Sequence, residues 1–138
     1  MIAYVDSSVI LRLVLGQPGA LPEWRDLEAG VASALVEVEC LRTLDRLRLA
    51  EHLPDDALAE RREAVYRVIE TLSVVEPTRT ILTRAAQPLP VSLGTFDALH
   101  LATALAWRES SGAALVLATH DARLAVAARA LGLATVGT

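Results

Sequence analysis

Short apolar runs alternate along this chain with longer stretches in which apolar residues recur every three or four positions. Residues 2–5 are the first run, ended by Asp6, and Val9, Ile10, Leu13 and Val14 then take helical spacing to about position 15. Ser7 or Ser8 reads as the cap of that helix, which would leave the Asp6 carboxylate free. A Gly/Pro turn over 16–19 leads to residues 21–29, read as a short amphipathic helix stopped by Gly30. A strand over 31–34, a helix over 35–51 and a second helix from Pro54 to about 72 follow, the two helices forming a hairpin against the sheet. Residues 73–76 read as a strand closed by Pro77, 78–87 as a helix and 88–90 as loop. Residues 94–109 make a helix, 113–118 a buried strand, 121–131 a helix stopped at Gly132, and 133–136 a last strand. Strands alternating with helices predict an α/β fold with a parallel sheet covered on both faces.

Length and composition narrow the picture. At 138 residues the chain is read as one domain, 1–138, with a substantial core. No apolar run approaches the roughly 18 residues that span a bilayer. The N-terminus lacks a basic flank and a small-residue cleavage site, so a cytoplasmic protein with no membrane partner is expected. Cys40 is the single cysteine, which excludes an internal disulfide and a cysteine-rich zinc site. Aromatics at 4% argue against a base-stacking platform for single-stranded nucleic acid. All 13 basic residues are Arg, and with no lysine a P-loop or a phospho-acceptor site lacks its cation. A net charge of −4 argues against non-specific coating of nucleic acid and leaves room for divalent cations.

Four carboxylates fall where such a fold gathers ligands, beyond the carboxyl ends of strands. Asp6 ends the first strand, Asp121 follows the fourth, Asp97 lies in the first turn of a helix, and Glu39 lies one turn inside another. Each also has a local role open to it. Asp97 and Asp121 could stabilise helix N-termini, worth about 0.3–1 kcal/mol each, and Glu39 could pair with Arg42 or Thr43. The helix around Asp97 is apolar nearly all round, so a carboxylate there is costly unless paired or bound to metal. Glu37 and Glu39 stand about 200° apart on their helix. Glu37 shares its face with Leu41 and Leu44, and Glu39 with Arg42, Thr43 and Arg46, a polar face suited to phosphate. Glu39 is therefore the fourth acid, with Glu37 behind it. His100, on the apolar helix, reads as a packed core histidine rather than a ligand, and His52 as solvent-facing.

The segments YVDSSVILRL, SALVEVECLR, SLGTFDALHLATAL and LATHDARLAVAARALGL, in this order and spacing, resemble the PIN domain, and within it the VapC-type toxins of bacterial toxin–antitoxin pairs. The resemblance covers nearly the whole chain and departs from the family pattern little, His120 belonging to no motif. It implies a three-layer α/β/α sandwich on a central parallel sheet of four to five short strands. It also implies an endoribonuclease, dependent on Mg²⁺ or Mn²⁺, that hydrolyses phosphodiester bonds with metal-activated water. Asp6, Glu39, Asp97 and Asp121 fall on its acidic quartet, with Asp6, Asp97 and Asp121 as direct metal ligands and Ser7 and Thr119 orienting them. Arg12, Arg42 and Arg123 are the candidates for RNA phosphate, while Arg46 reads as an ordinary exposed helix arginine. An antitoxin across the acidic crevice and a homodimer are further implications. Residues 17–30 and 54–72 match only in being helical. The alternatives are a catalytically silent PIN-like binding module and a phosphoaspartyl hydrolase using Asp6, the latter weakened by Ser8 and the absence of lysine.

Overall fold

The computed structural model describes residues 1–138. Its five strands, β1 (Ile2–Val5), β2 (Ala29–Ser33), β3 (Leu72–Val75), β4 (Val116–Ala118) and β5 (Ala134–Val136), form one parallel sheet in the order β3-β2-β1-β4-β5. The six helices are α1 (Ser7–Val14), α2 (Leu35–Leu49), α3 (Asp55–Glu70), α4 (Arg79–Ala85), α5 (Thr95–Ser111) and α6 (Ala122–Ala130).

Alternation along β1 divides the core. Ala3 and Val5 face one side and pack with α1, α2 and α3 through Val9, Ile10, Val36, Cys40, Leu44 and Val65. Tyr4 faces the other side and joins Val31, Leu117, Leu101, Leu105 and Leu124 under α5 and α6. The result is the three-layer α/β/α sandwich, with five strands. Successive strands step from β1 to β2 and β3 on one side and from β4 to β5 on the other. The order therefore reverses between β1 and β4, and a crevice opens beyond their carboxyl ends.

Several arginines hold this frame together. Arg61 donates to the Val14 carbonyl at the end of α1, and Arg108 to the Leu131 and Gly132 carbonyls that follow α6. Both satisfy acceptors that a helix end leaves unpaired. Arg84 clamps α4 to α5 through a two-pronged pair with Glu109 at 2.6 and 2.8 Å.

Three local expectations are corrected. Residues 21–29 are not an amphipathic helix: a 3₁₀ turn spans Pro22–Asp26, and Gly30 lies inside β2 rather than ending a helix. A Cβ at Gly30 would stand 2.4 Å from the Leu72 side chain, so glycine serves the close approach of β2 to β3 there. The strand expected over 113–118 begins only at Val116. The helix from Ser7 is capped by Asp6, not by a serine: Asp6 Oδ1 accepts from the Ser8 and Val9 amides. Asp at this position offers an acceptor without needing to rotate a hydrogen away, and Ser8 Oγ instead donates to the same Oδ1 at 2.5 Å.

Candidate active site

The crevice begins where β1 and β4 end side by side, Val5 in register with Ala118. Asp6 follows Val5 and is 3% exposed. Its Oδ1 caps α1, and its Oδ2 accepts from Thr119 Oγ1 at 2.6 Å. Thr119 Oγ1 in turn accepts from the Asp121 amide at 3.0 Å, so one hydroxyl ties the two aspartates across the reversal point. Asp121 Oδ1 caps α6 by accepting from the Arg123 and Leu124 amides. Helix capping is thus real for both aspartates. It uses one oxygen of Asp121 and leaves the other uncommitted, whereas both oxygens of Asp6 are engaged. That engagement weighs against Asp6 as the nucleophile of a phosphoaspartyl hydrolase.

Glu39, one turn into α2, accepts from Ser7 Oγ at 3.1 Å and from His100 Nε2 at 2.5 Å. Glu37 is exposed. His100 is packed in the core as expected, 1% exposed, and both of its ring nitrogens are engaged. Nδ1 meets the Tyr4 hydroxyl at 2.7 Å, and that oxygen accepts from the Ser33 amide at 3.2 Å. A carboxylate only accepts, so Nε2 donates to Glu39, and with the hydrogen on Nε2 alone the ring accepts at Nδ1 from Tyr4. A chain of hydrogen bonds therefore runs from the end of β2 through β1 and α5 to the carboxylate on α2. Tyr4 and His100 are the residues that sequence reasoning left out. The one available signal was that two polar groups, a tyrosine on the first strand and a histidine on an apolar helix, both needed buried partners.

Asp97, at the mouth of α5, makes no hydrogen bond and is partly buried. Burial raises its affinity for a proton, and the charges of Asp121, Asp6 and Glu39 raise it further. All four acids thus share one electrostatic site. Burial likewise raises the Asp6 carboxyl, against the lowering effect of Ser8 and Thr119. Burial also pushes the Cys40 thiol, beneath Ser7, up to about 12, which makes it inert as a nucleophile.

The donors are all oxygens, which suits Mg²⁺ or Mn²⁺. No three acidic or imidazole groups converge into a ready-made cage. The fit is therefore to an ion that retains most of its waters and takes only one or two carboxylates directly, as Mg²⁺ does. Among the arginines, Arg12 points away from the crevice, in the last turn of α1 against the Gly19 carbonyl. Arg42 is beside Glu39 but paired with Asp45 at 3.0 Å, and Arg123 is exposed just beyond Asp121. Arg46 lies on the Glu39 face of α2 and has no carboxylate partner, only Thr43 Oγ1 at 2.9 Å.

The last residues of the chain buttress this site. Gly137 has φ +101°, and a Cβ there would meet the Thr119 carbonyl oxygen at 2.4 Å. Gly137→Ala should destabilise the fold by about 1–3 kcal/mol and displace Thr119 from Asp6. Thermal melts read the first effect; a variant as stable as the parent would refute the contact.

A family model described as the PIN domain matches residues 3–130. The chain is 33% identical over 136 residues to "Ribonuclease VapC46" of Mycobacterium tuberculosis, covering 96% of this chain and 95% of that protein. It is 36% identical over 142 residues to "Ribonuclease VapC35" of the same species, covering 96% and 94%. In fold it is similar to the VapBC2 structure from Rickettsia felis, "bound to a DNA fragment from their promoter", with a TM-score of 0.68 at 13% identity over 99% and 98% of the two chains. It is also similar to M. tuberculosis VapC20, a "Sarcin-Ricin loop cleaving toxin", with a TM-score of 0.64 at 16% identity over 99% of each chain. Asp6 and Asp121 linked through Thr119 at the reversal point, Glu39 and Asp97 beside them, and a family match over nearly the whole length lead to one conclusion: the chain belongs to the PIN domain family, among its VapC-type members.

Proposed function

We propose that this protein is a Mg²⁺- or Mn²⁺-dependent endoribonuclease, the toxin of a type II toxin–antitoxin pair. The observation that carries the reading is Asp97: a partly buried carboxylate without a side-chain hydrogen bond, whose affinity for a proton is raised by burial and by the charges of Asp121, Asp6 and Glu39. The names of the relatives support nuclease chemistry on RNA. Asp97 and the uncommitted oxygen of Asp121 are the residues suited to hold a divalent cation directly. Asp6, already bonded through both oxygens, and Glu39 would act through water. When bound, the ion supplies positive charge for the phosphoryl oxygens and makes water a better nucleophile near neutral pH.

The chain's own groups do the rest. Thr119 fixes the spacing of Asp6 and Asp121. Ser7 and His100 hold the two oxygens of Glu39 at set angles, where the carboxylate can take a proton from water. Tyr4 fixes the His100 ring. Arg46 and Arg123 offer guanidinium groups to phosphate on either side of the acids. A cognate antitoxin covering the crevice, a homodimer and a cytoplasmic setting complete the proposal. No helix is long and apolar enough to cross a membrane.

The test pairs cleavage with stability. Purified protein should cleave RNA with Mn²⁺ and stop with EDTA, and Asp6→Asn should be inactive. Mn²⁺ should raise the melting temperature of the parent protein. Cleavage that survives Asp6→Asn would refute the mechanism. A Mn²⁺-stabilised protein that cleaves no RNA would favour the silent binding module.

A further inference from the structure

Beside the acids, on the α2 side, lies a cavity of about 210 Å³. Glu39, Arg42, Thr43 and Arg46 line it from α2, and Phe96 closes it from the first turn of α5. Phe96 is the only phenylalanine in the chain, and it is 50% exposed. Its neighbour in sequence is Asp97, and the cavity shares Ser7 and Glu39 with the acidic site.

A phenylalanine turned inward would add to the core, and the apolar residues Ala98, Leu101 and Leu105 of the same helix are buried. Phe96 instead leaves half its surface exposed beside the acidic crevice, lining the same cavity as Arg46, which has no carboxylate partner. An aromatic ring and a guanidinium lining one small cavity match the two parts of a nucleotide, its flat base and its charged phosphate. The cavity has room for one base, and a base can enter it only from a single strand, where it is not held in a stack.

We propose that this cavity is a subsite for the nucleotide flanking the scissile phosphate, with its base stacked on Phe96 and its phosphate on Arg46. The inference rests on the ribonuclease reading and adds which residues choose the substrate. Stacking tolerates any base, so Phe96 would favour unpaired RNA over duplex more than one sequence over another. Arg46, rather than Arg12, becomes the principal phosphate contact. Arg42 joins it only on leaving Asp45.

The experiment uses the full chain and short single-stranded RNAs containing one mapped cleavage site. A matched set carries an abasic nucleotide at each position flanking that site. Phe96→Ala should lower kcat/KM about tenfold or more on intact RNA, the size of one lost base stack. At one flanking position the abasic substitution should cost the parent protein the same amount and cost Phe96→Ala nothing further. Phe96→Trp should retain activity, and Arg46→Gln should weaken cleavage of intact and abasic RNA alike. Penalties that simply add in Phe96→Ala, or cleavage by that variant equal to the parent's, would overturn the subsite and return this face to a protein partner. If no RNA is cleaved at all, the same oligonucleotides are titrated by fluorescence anisotropy. Binding that depends on Phe96 and on one base keeps the subsite while the catalytic reading fails; binding indifferent to both refutes the subsite as well.

Discussion

Replacing Asp97 by Asn should lower RNA cleavage by about 10²–10³-fold, the loss typical of removing one preorganised electrostatic group, while raising the melting temperature of the metal-free protein. The two effects have one origin. Asp97 makes no hydrogen bond, so the amide breaks no contact, yet it removes a charge crowded by Asp121, Asp6 and Glu39. The expected gain is about 2–4 °C, and it is an instance of a site held at some cost to stability. The pH dependence follows from the same groups. Asp6 and Asp97 bind protons more tightly in the native protein than in the unfolded chain, where aspartate ionises near pH 3.9. The native state therefore holds the extra protons in the window between that pH and the raised native values. Stability from these groups is fully present below the window and is lost as pH rises through it.

Asp45, Glu28 and Glu109 work in the opposite direction. Hydrogen bonds from Arg48, the N-terminus and Arg84 respectively lower them, so their contribution is lost as pH falls through their native values. Melting curves in EDTA between pH 4 and 8 should show the parent losing stability as pH rises, with a flatter slope for Asp97→Asn. Added Mn²⁺ should stabilise the parent and leave the variant unmoved. Parallel pH curves, or equal Mn²⁺ responses, would remove Asp97 from the site.

The second large effect is expected at His100, and the choice of replacement decides its meaning. A glutamine places an amide N–H near the position of Nε2 and keeps a donor for Glu39. An asparagine places its polar group near Nδ1 and keeps a partner for Tyr4. Each leaves one buried group without its bond, so each should cost about 1–3 kcal/mol of stability. Only the asparagine releases Glu39. If His100 acts by orienting that carboxylate, His100→Asn should lose about 10–100-fold in activity at saturating Mn²⁺, the range for a supporting hydrogen bond, and His100→Gln should retain most of it. Tyr4→Phe, which leaves the histidine in place, should fall between the two. Equal losses in the glutamine and asparagine variants would mean that the histidine only fills the core.

Asp6 shows how far local pattern carries. Its position at the end of an apolar run and before a helical one was legible, and so was its place at a strand's carboxyl edge. The division of labour was not: the carboxylate itself caps α1, and Ser8 supports it. Cap geometry depends on backbone angles at one residue, to which a hydrophobic period is blind. Residues 21–29 failed for a related reason. The apolar spacing there was helical, yet the chain must reach the edge of β1 by Ala29, and register with Ile2 overrides local preference.

Periodicity and punctuation by Gly and Pro were legible in the sequence alone, because each depends on neighbours within a few residues, and the element ends at which the four acids fall followed from them. Tertiary structure alone decided how the acids are wired. The Thr119–Asp6 bond spans 113 positions and the Tyr4–His100 bond 96; the first exists because parallel register sets the ends of β1 and β4 side by side, the second because α5 packs on the Tyr4 face of the sheet. The arginines were sorted in the same way. Alike in sequence, some are consumed by helix ends and ion pairs, and Arg46 is left facing the cavity, since which partner a long side chain finds depends on what the fold places within its reach.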